Sequence, residues 1–114
     1  MFVSYTNQQC PEDDPPGVVV EFVAHGDRRP VAVGATGLVR DGSFLEQMRA
    51  TGQQFAGGRT RALAGGFGRE GVYDVRVETA AGEEFAWNRI RVAGDRCGPF
   101  TVVLQAEVTA FPGN

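Results

Sequence analysis

Apolar and polar residues alternate along much of this chain with a period of two, the mark of strands buried on one face. VVVEFVAH, Val18 to His25, sets Val18, Val20, Phe22 and Ala24 on one side. Gly26 to Pro30 then reads as a turn. Ala35 to Arg40 and Ser43 to Arg49 flank Asp41-Gly42, which predicts a hairpin closed by a two-residue type I′ turn. Ala50 to Gly58 is rich in Gly and Gln and predicts a loop, RTRALAG a short strand, and GGFGREG another turn. In VYDVRVETAAGEEFAW, Tyr73, Val75, Val77 and Thr79 face one way, and Asp74, Arg76 and Glu78 the other. Ala80 to Glu83 turns the chain into EFAWNRIRV, where the alternation slips. Phe85 and Trp87 are in phase with each other, while Ile90 and Val92 are out of phase with them. A β-bulge near Asn88 accounts for the slip. GDRCGP reads as a loop. The last strand, FTVVLQAEVTA, places Phe100, Val102, Leu104, Ala106 and Val108 on one face.

The best helical candidate, SFLEQMRATGQQF, has no sustained 3.6-residue stripe and is interrupted by Gly52. About seven short strands without a convincing helix predict an all-β fold, an antiparallel, Greek-key β-sandwich. Residues 18–114 form that domain. Residues 1–17 read as an extended N-terminal arm, with Phe2, Val3 and Tyr5 apolar, followed by an acidic Pro-rich linker. Pro15 and Pro16 cannot donate to a sheet ladder.

The order of these pieces carries a resemblance. Gly71, Tyr73, Val75 and Val77 form G-x-Y-x-V-x-V. Trp87, Ile90 and Val92 follow on an aromatic-bearing strand. Val102, Leu104, Ala106 and Val108 close the chain, with Cys97 just before them. Over residues 17–109 the chain resembles the carboxypeptidase regulatory-like modules with a transthyretin-like (prealbumin-like) fold. It departs from their pattern in the middle turn, reduced to AAGEEF, and in a longer, Gly-rich 50–68 region. The resemblance implies a small secreted or periplasmic accessory domain, non-catalytic, with no shared catalytic residues to carry over.

Length and composition bound this picture. At 114 residues the chain suits one domain with a modest core, and its 16 Gly fit a turn-rich β fold. The net charge of -3 gives no global reason to expect nucleic acid or an anionic membrane. All 11 basic residues are Arg, for which a GC-rich genome is the plain explanation. No apolar run approaches the roughly 18 residues that span a bilayer. MFVSYTNQQC lacks the basic start and apolar centre of a signal peptide, so either the protein stays in the cytoplasm or Met1 stands where a leader was removed. The two cysteines favour the second reading. Cys10 precedes the first strand and Cys97 the last, and one bridge between them implies an oxidising compartment.

Candidate chemistry is sparse. His25 with Ser4 or Ser43 suggests a hydrolytic set, but neither serine sits in G-x-S-x-G, and a lone turn histidine is the plainer reading. Glu12, Asp13 and Asp14 offer oxygen ligands without an alternating calcium loop, and read as a solvated linker. Glu83 and Glu84 are adjacent and face opposite sides of a strand, which does not suit a glycosidase pair. GGFGREG lacks the Lys-Ser/Thr of a phosphate loop. Arg59, Arg61 and Arg69 near Phe67 form a weak basic-aromatic candidate for nucleic acid. Phe85 and Trp87 are the most informative side chains. On an outer face they suit stacking on a sugar or a partner protein, and on an inner face they are core.

The expected function is therefore non-catalytic, without cofactor or metal. One reading is a structural or adhesive extracytoplasmic module, a filament or cell-surface subunit that uses Phe2, Val3 and Tyr5 for β-strand addition to a neighbour. The other is a glycan- or protein-binding accessory module that uses Phe85 and Trp87. Expected partners are a second copy or another surface protein, with a glycan as the further ligand, no nucleic acid and no membrane span.

Overall fold

Val18, Val20, Phe22 and Ala24 alternate onto one face and are all buried, which makes Val18–Ala24 the central strand β1. The computed structural model describes Cys10 and residues 12–110; the proposed arm residues Phe2, Val3 and Tyr5, and Ser4, lie outside them. In chain order β1 is followed by β2 (Ala35–Asp41), β3 (Phe44–Gln47), β4 (Arg49–Ala50), β5 (Gln54–Phe55), β6 (Arg59–Thr60) and β7 (Ala62–Gly65). Then come β8 (Gly71–Thr79), β9 (Glu84–Val92), β10 (Gly94–Asp95), β11 (Gly98–Pro99) and β12 (Val102–Val108). The described residues contain no α-helix, only a short 3-10 turn at Ala56–Gly58.

The strands form two four-stranded sheets, ordered β12-β1-β7-β4 and β3-β2-β8-β9, with two small ribbons, β5-β6 and β10-β11. The sheets enclose one core in which Phe22, Val39, Tyr73, Val75 and Val108 are fully buried. Gly37 admits close packing at its centre: a Cβ there would lie 2.8 Å from Met48 Sδ and 3.1 Å from Val77 Cγ2.

The antiparallel expectation needs one correction. β12 pairs with β1 in parallel, Val18 opposite Val102 and Ala24 opposite Val108. β9 ends where β1 begins, and the chain crosses there from one sheet to the other, so β12 enters in the direction of β1. Alternation in a sequence reports faces and is blind to strand direction.

The hairpin also differs by one residue. Asp41 pairs with Phe44, so the two-residue loop is Gly42-Ser43. Only Gly42 has positive φ, at 62°, which fits the Gly-first type II′ turn and not type I′. Asp41 stays in the strand, where its carboxylate accepts from Arg69 at 2.9 Å and from the Val72 N–H at 3.4 Å.

Phe100 lies before the last strand and is 58% exposed, not on the inner face expected for it. The β10-β11 ribbon and Pro99 carry the chain outward. The ladder starts only where the Val102 N–H reaches Gly17 O, at 2.9 Å.

Tyr73 ties the edge of the core. Its ring is fully buried against Phe44, with centroids 6.2 Å apart, and its hydroxyl donates to Arg69 O at 2.7 Å. This i to i−4 bond has the form of the tyrosine corner of sandwich folds.

Candidate functional site

The predicted phase slip is a bulge, and it decides where the aromatic pair points. Tyr73 faces Ile90 and Val75 faces Trp87, so β9 carries one extra residue between them. Arg89 takes it up at φ 59°, and its N–H donates to Asp74 Oδ1 at 3.0 Å. Because two residues oppose one, Phe85, Trp87, Ile90 and Val92 all return to the inner face. Phe85 and Trp87 stack with centroids 6.2 Å apart and planes at 16°, half-buried against the core. The outer-face placement considered for them does not hold.

Their position in the sandwich gives them access to solvent. β9 is the last strand of one sheet and β12 of the other. The two are tied at both ends. The Phe100 N–H donates to Ala93 O at 2.7 Å. At the other end the Glu83 carboxylate accepts from the N–H groups of Thr109 and Ala110, at 3.0 and 3.1 Å, and from the Thr109 hydroxyl at 2.9 Å. Burial alone would raise the Glu83 pKa, but these hydrogen bonds outweigh it and hold the carboxyl below its ordinary value. β9 and β12 therefore stand side by side at one flank, with Phe85, Trp87, Ile90, Val102 and Leu104 half-buried between them. The opposite flank is closed by the chain, because β3 continues through Met48 directly into β4.

The β12 edge is open among the described residues. The Val102 N–H donates to Gly17 O and Val108 O accepts from the His25 N–H. In a parallel ladder, bonded residues alternate, so Val102, Leu104, Ala106 and Val108 face β1 with their main chains. Val103, Gln105 and Glu107 direct theirs outward.

Cys10 and Cys97 are joined by a disulfide, Cα atoms 5.0 Å apart and 87 residues apart in sequence. The bridge lies where β12 begins. Gly17 donates to Gly65 O, Thr101 Oγ donates to Pro16 O at 2.6 Å, and the Gly68 N–H donates to Pro15 O at 2.9 Å. Residues 15–17 of the segment read as a linker thus lie between 65–68 and 101, with Pro15 and Pro16 bonded through their carbonyls, which need no N–H of their own.

No family model, curated protein or solved structure matches this chain. Among the described residues, no helix is long and apolar enough to cross a membrane.

The other candidates separate in space. His25 sits beside Val108 at one end of the sandwich, its Nδ1 3.2 Å from Glu107 Oε1, with Arg28 on the same carboxylate. Ser43 is in the β2-β3 turn at the opposite end. Among the described residues, no group of three His, Cys, Asp or Glu could hold a metal, Glu12, Asp13 and Asp14 included. The basic-aromatic candidate divides into separate pairs: Arg49 lies over Phe67, Arg61 over Phe55 and Arg69 over Phe44, at 4.1, 4.8 and 4.2 Å. Glu83 and Glu84 do face apart. Glu83 latches β12, and Glu84 stands opposite Glu78 on the outer face. The Glu83 latch and the open β12 edge escaped sequence reasoning. The latch joins residues 26 apart, and nothing local marks it.

Proposed function

We propose that this chain is a non-catalytic, extracytoplasmic structural or adhesive module. It is a transthyretin-like β-sandwich of the carboxypeptidase regulatory-like kind that enters a filament or surface assembly through residues 1–9. The observation that carries this reading is the flank itself: a seven-residue strand whose outer edge is open among the described residues, beside a half-buried aromatic and aliphatic stripe. Such edges pair with another chain unless they are covered. The apolar arm supplies the kind of segment that adds to a sheet edge. The disulfide supports an oxidising compartment. Seven strands of four or more residues in two sheets support the resemblance.

Light scattering and negative-stain microscopy of the purified chain, with and without residues 1–9, test the reading. Polymers that disappear on truncation are expected. A monomer in both forms would remove the assembly reading.

The stacked, half-exposed Phe85–Trp87 pair favours a second reading, a glycan- or protein-binding module. In that case Trp87→Ala abolishes binding in a glycan or protein screen, and truncation of residues 1–9 leaves binding intact.

A further inference from the structure

We infer that the acceptor for residues 1–9 is the outer edge of β12 in a second copy of this chain, an inference that rests on the assembly reading above. Four strands end the two sheets, and three of them are poor acceptors. β3 spans only Phe44–Gln47 and β4 only Arg49–Ala50. β9 is long but bulged, with Arg89 at φ 59° and exposed Glu84, Asn88, Arg89 and Arg91 along it. Bulges and charges are the usual protections of an edge.

β12 has neither a bulge nor a proline. Val103, Gln105 and Glu107 direct N–H and C=O groups outward. The Gln105 and Glu107 side chains are already held by Arg28. Val103 is 52% exposed, and Phe100, just before the strand, 58%. Val102 and Leu104, like Phe85, Trp87 and Ile90, are half-buried against the core at this flank, so an added strand gains ladder bonds on one side and apolar cover beneath.

The arm fits this edge in length and pattern. Nine extended residues reach about 30 Å, and a seven-residue strand needs about 23 Å. In MFVSYTNQQ, alternation places Met1, Val3 and Tyr5 on one face of such a strand, and Phe2, Ser4 and Thr6 on the other.

The occupant is a second copy because of how the chain leaves the fold. Gly17 and Pro15 are bonded to 65–68, Pro16 to Thr101 and Cys10 to Cys97, so Cys10 is fixed beside the segment that leads into β12. Cys10 is thereby anchored at the end of the sandwich where β12 begins. Lying on its own edge would require a full reversal at Cys10. An arm that continues outward reaches the next copy, a head-to-tail contact that gives a ring or an open filament according to the rotation between copies.

The test uses the full chain. Gln105→Pro removes one outward N–H and leaves the β1 ladder, to which Gln105 does not bond. We expect an unchanged far-UV spectrum and at least a tenfold loss of polymer by light scattering. A second measurement mixes a Ser4→Cys copy with a Val103→Cys copy under a short thiol crosslinker. Crosslinks between copies are expected, and they decide the matter if Gln105→Pro misfolds. Folded Gln105→Pro that polymerises like the parent overturns β12 as acceptor while leaving arm-driven assembly standing. Crosslinks confined to a single chain carrying both substitutions overturn the second-copy occupant, and their absence in both designs overturns the edge. A parent chain that stays monomeric overturns the assembly reading itself.

Discussion

Three residues hold local geometry that their neighbours depend on, and each gives a measurable expectation. Tyr73 is fully buried, and its hydroxyl donates to Arg69 O. Tyr73→Phe removes that bond and should cost about 1–3 kcal/mol in guanidinium unfolding. Gly37 has Met48, Val77 and Leu63 within 3.2 Å of where a Cβ would stand. Gly37→Ala should cost about 1–3 kcal/mol by overpacking, read as a lower Tm. Arg89 holds φ 59° in the bulge. A left-handed conformation costs a non-Gly residue about 1 kcal/mol, and a β-branched one more. Arg89→Val should therefore lower Tm and Arg89→Gly should not. The burial of Tyr73 was legible from alternation. The void filled by Met48 against Gly37 was not, because it depends on a side chain from another strand.

The β8-β9 pair shows how far a strand pattern can be read. The slip in EFAWNRIRV marked the bulge, and the pairing of Tyr73 with Ile90 and Val75 with Trp87 places it at Asn88 and Arg89. The slip could not say which of the two phases faced inward. The bulge resolved this by turning both in. The Glu83 latch at the far end of the same hairpin carries a pH expectation. Its carboxyl is held below the ordinary value, so its stabilising effect is present above the unfolded pKa of about 4.3 and is lost as pH falls through the folded one. Asp41 is lowered as well, first by its hydrogen bond from Arg69, and acts in the same direction. Unfolding midpoints should fall on acidification below about pH 4.3, and Glu83→Gln should flatten part of that fall.

The two sheets are held at one flank by the chain through Met48 and at the other by Glu83 and the Ala93–Phe100 bond. The disulfide adds a covalent tie between residues 10 and 97. Closing a loop of that length stabilises by about 4.6 kcal/mol in the chain-entropy model. A Cys10→Ser, Cys97→Ser double variant should lose up to that amount in guanidinium unfolding, and reductant should have the same effect on the parent protein.

Alternation, turn residues and the absence of a helical stripe were enough to determine an all-β chain, the inner faces of β1 and β8 and the position of the bulge. These are local properties, set by the pleat and by glycine's conformational freedom. The parallel pairing of β1 with β12, the exposure of Phe100, the inward turn of Trp87 and the open flank were decided only in three dimensions. The β1–β12 pairing depends on which distant strand lies alongside, and residues separated by some eighty positions leave no periodic trace of that choice; the inward turn of Trp87 follows from how the bulge registers on β8.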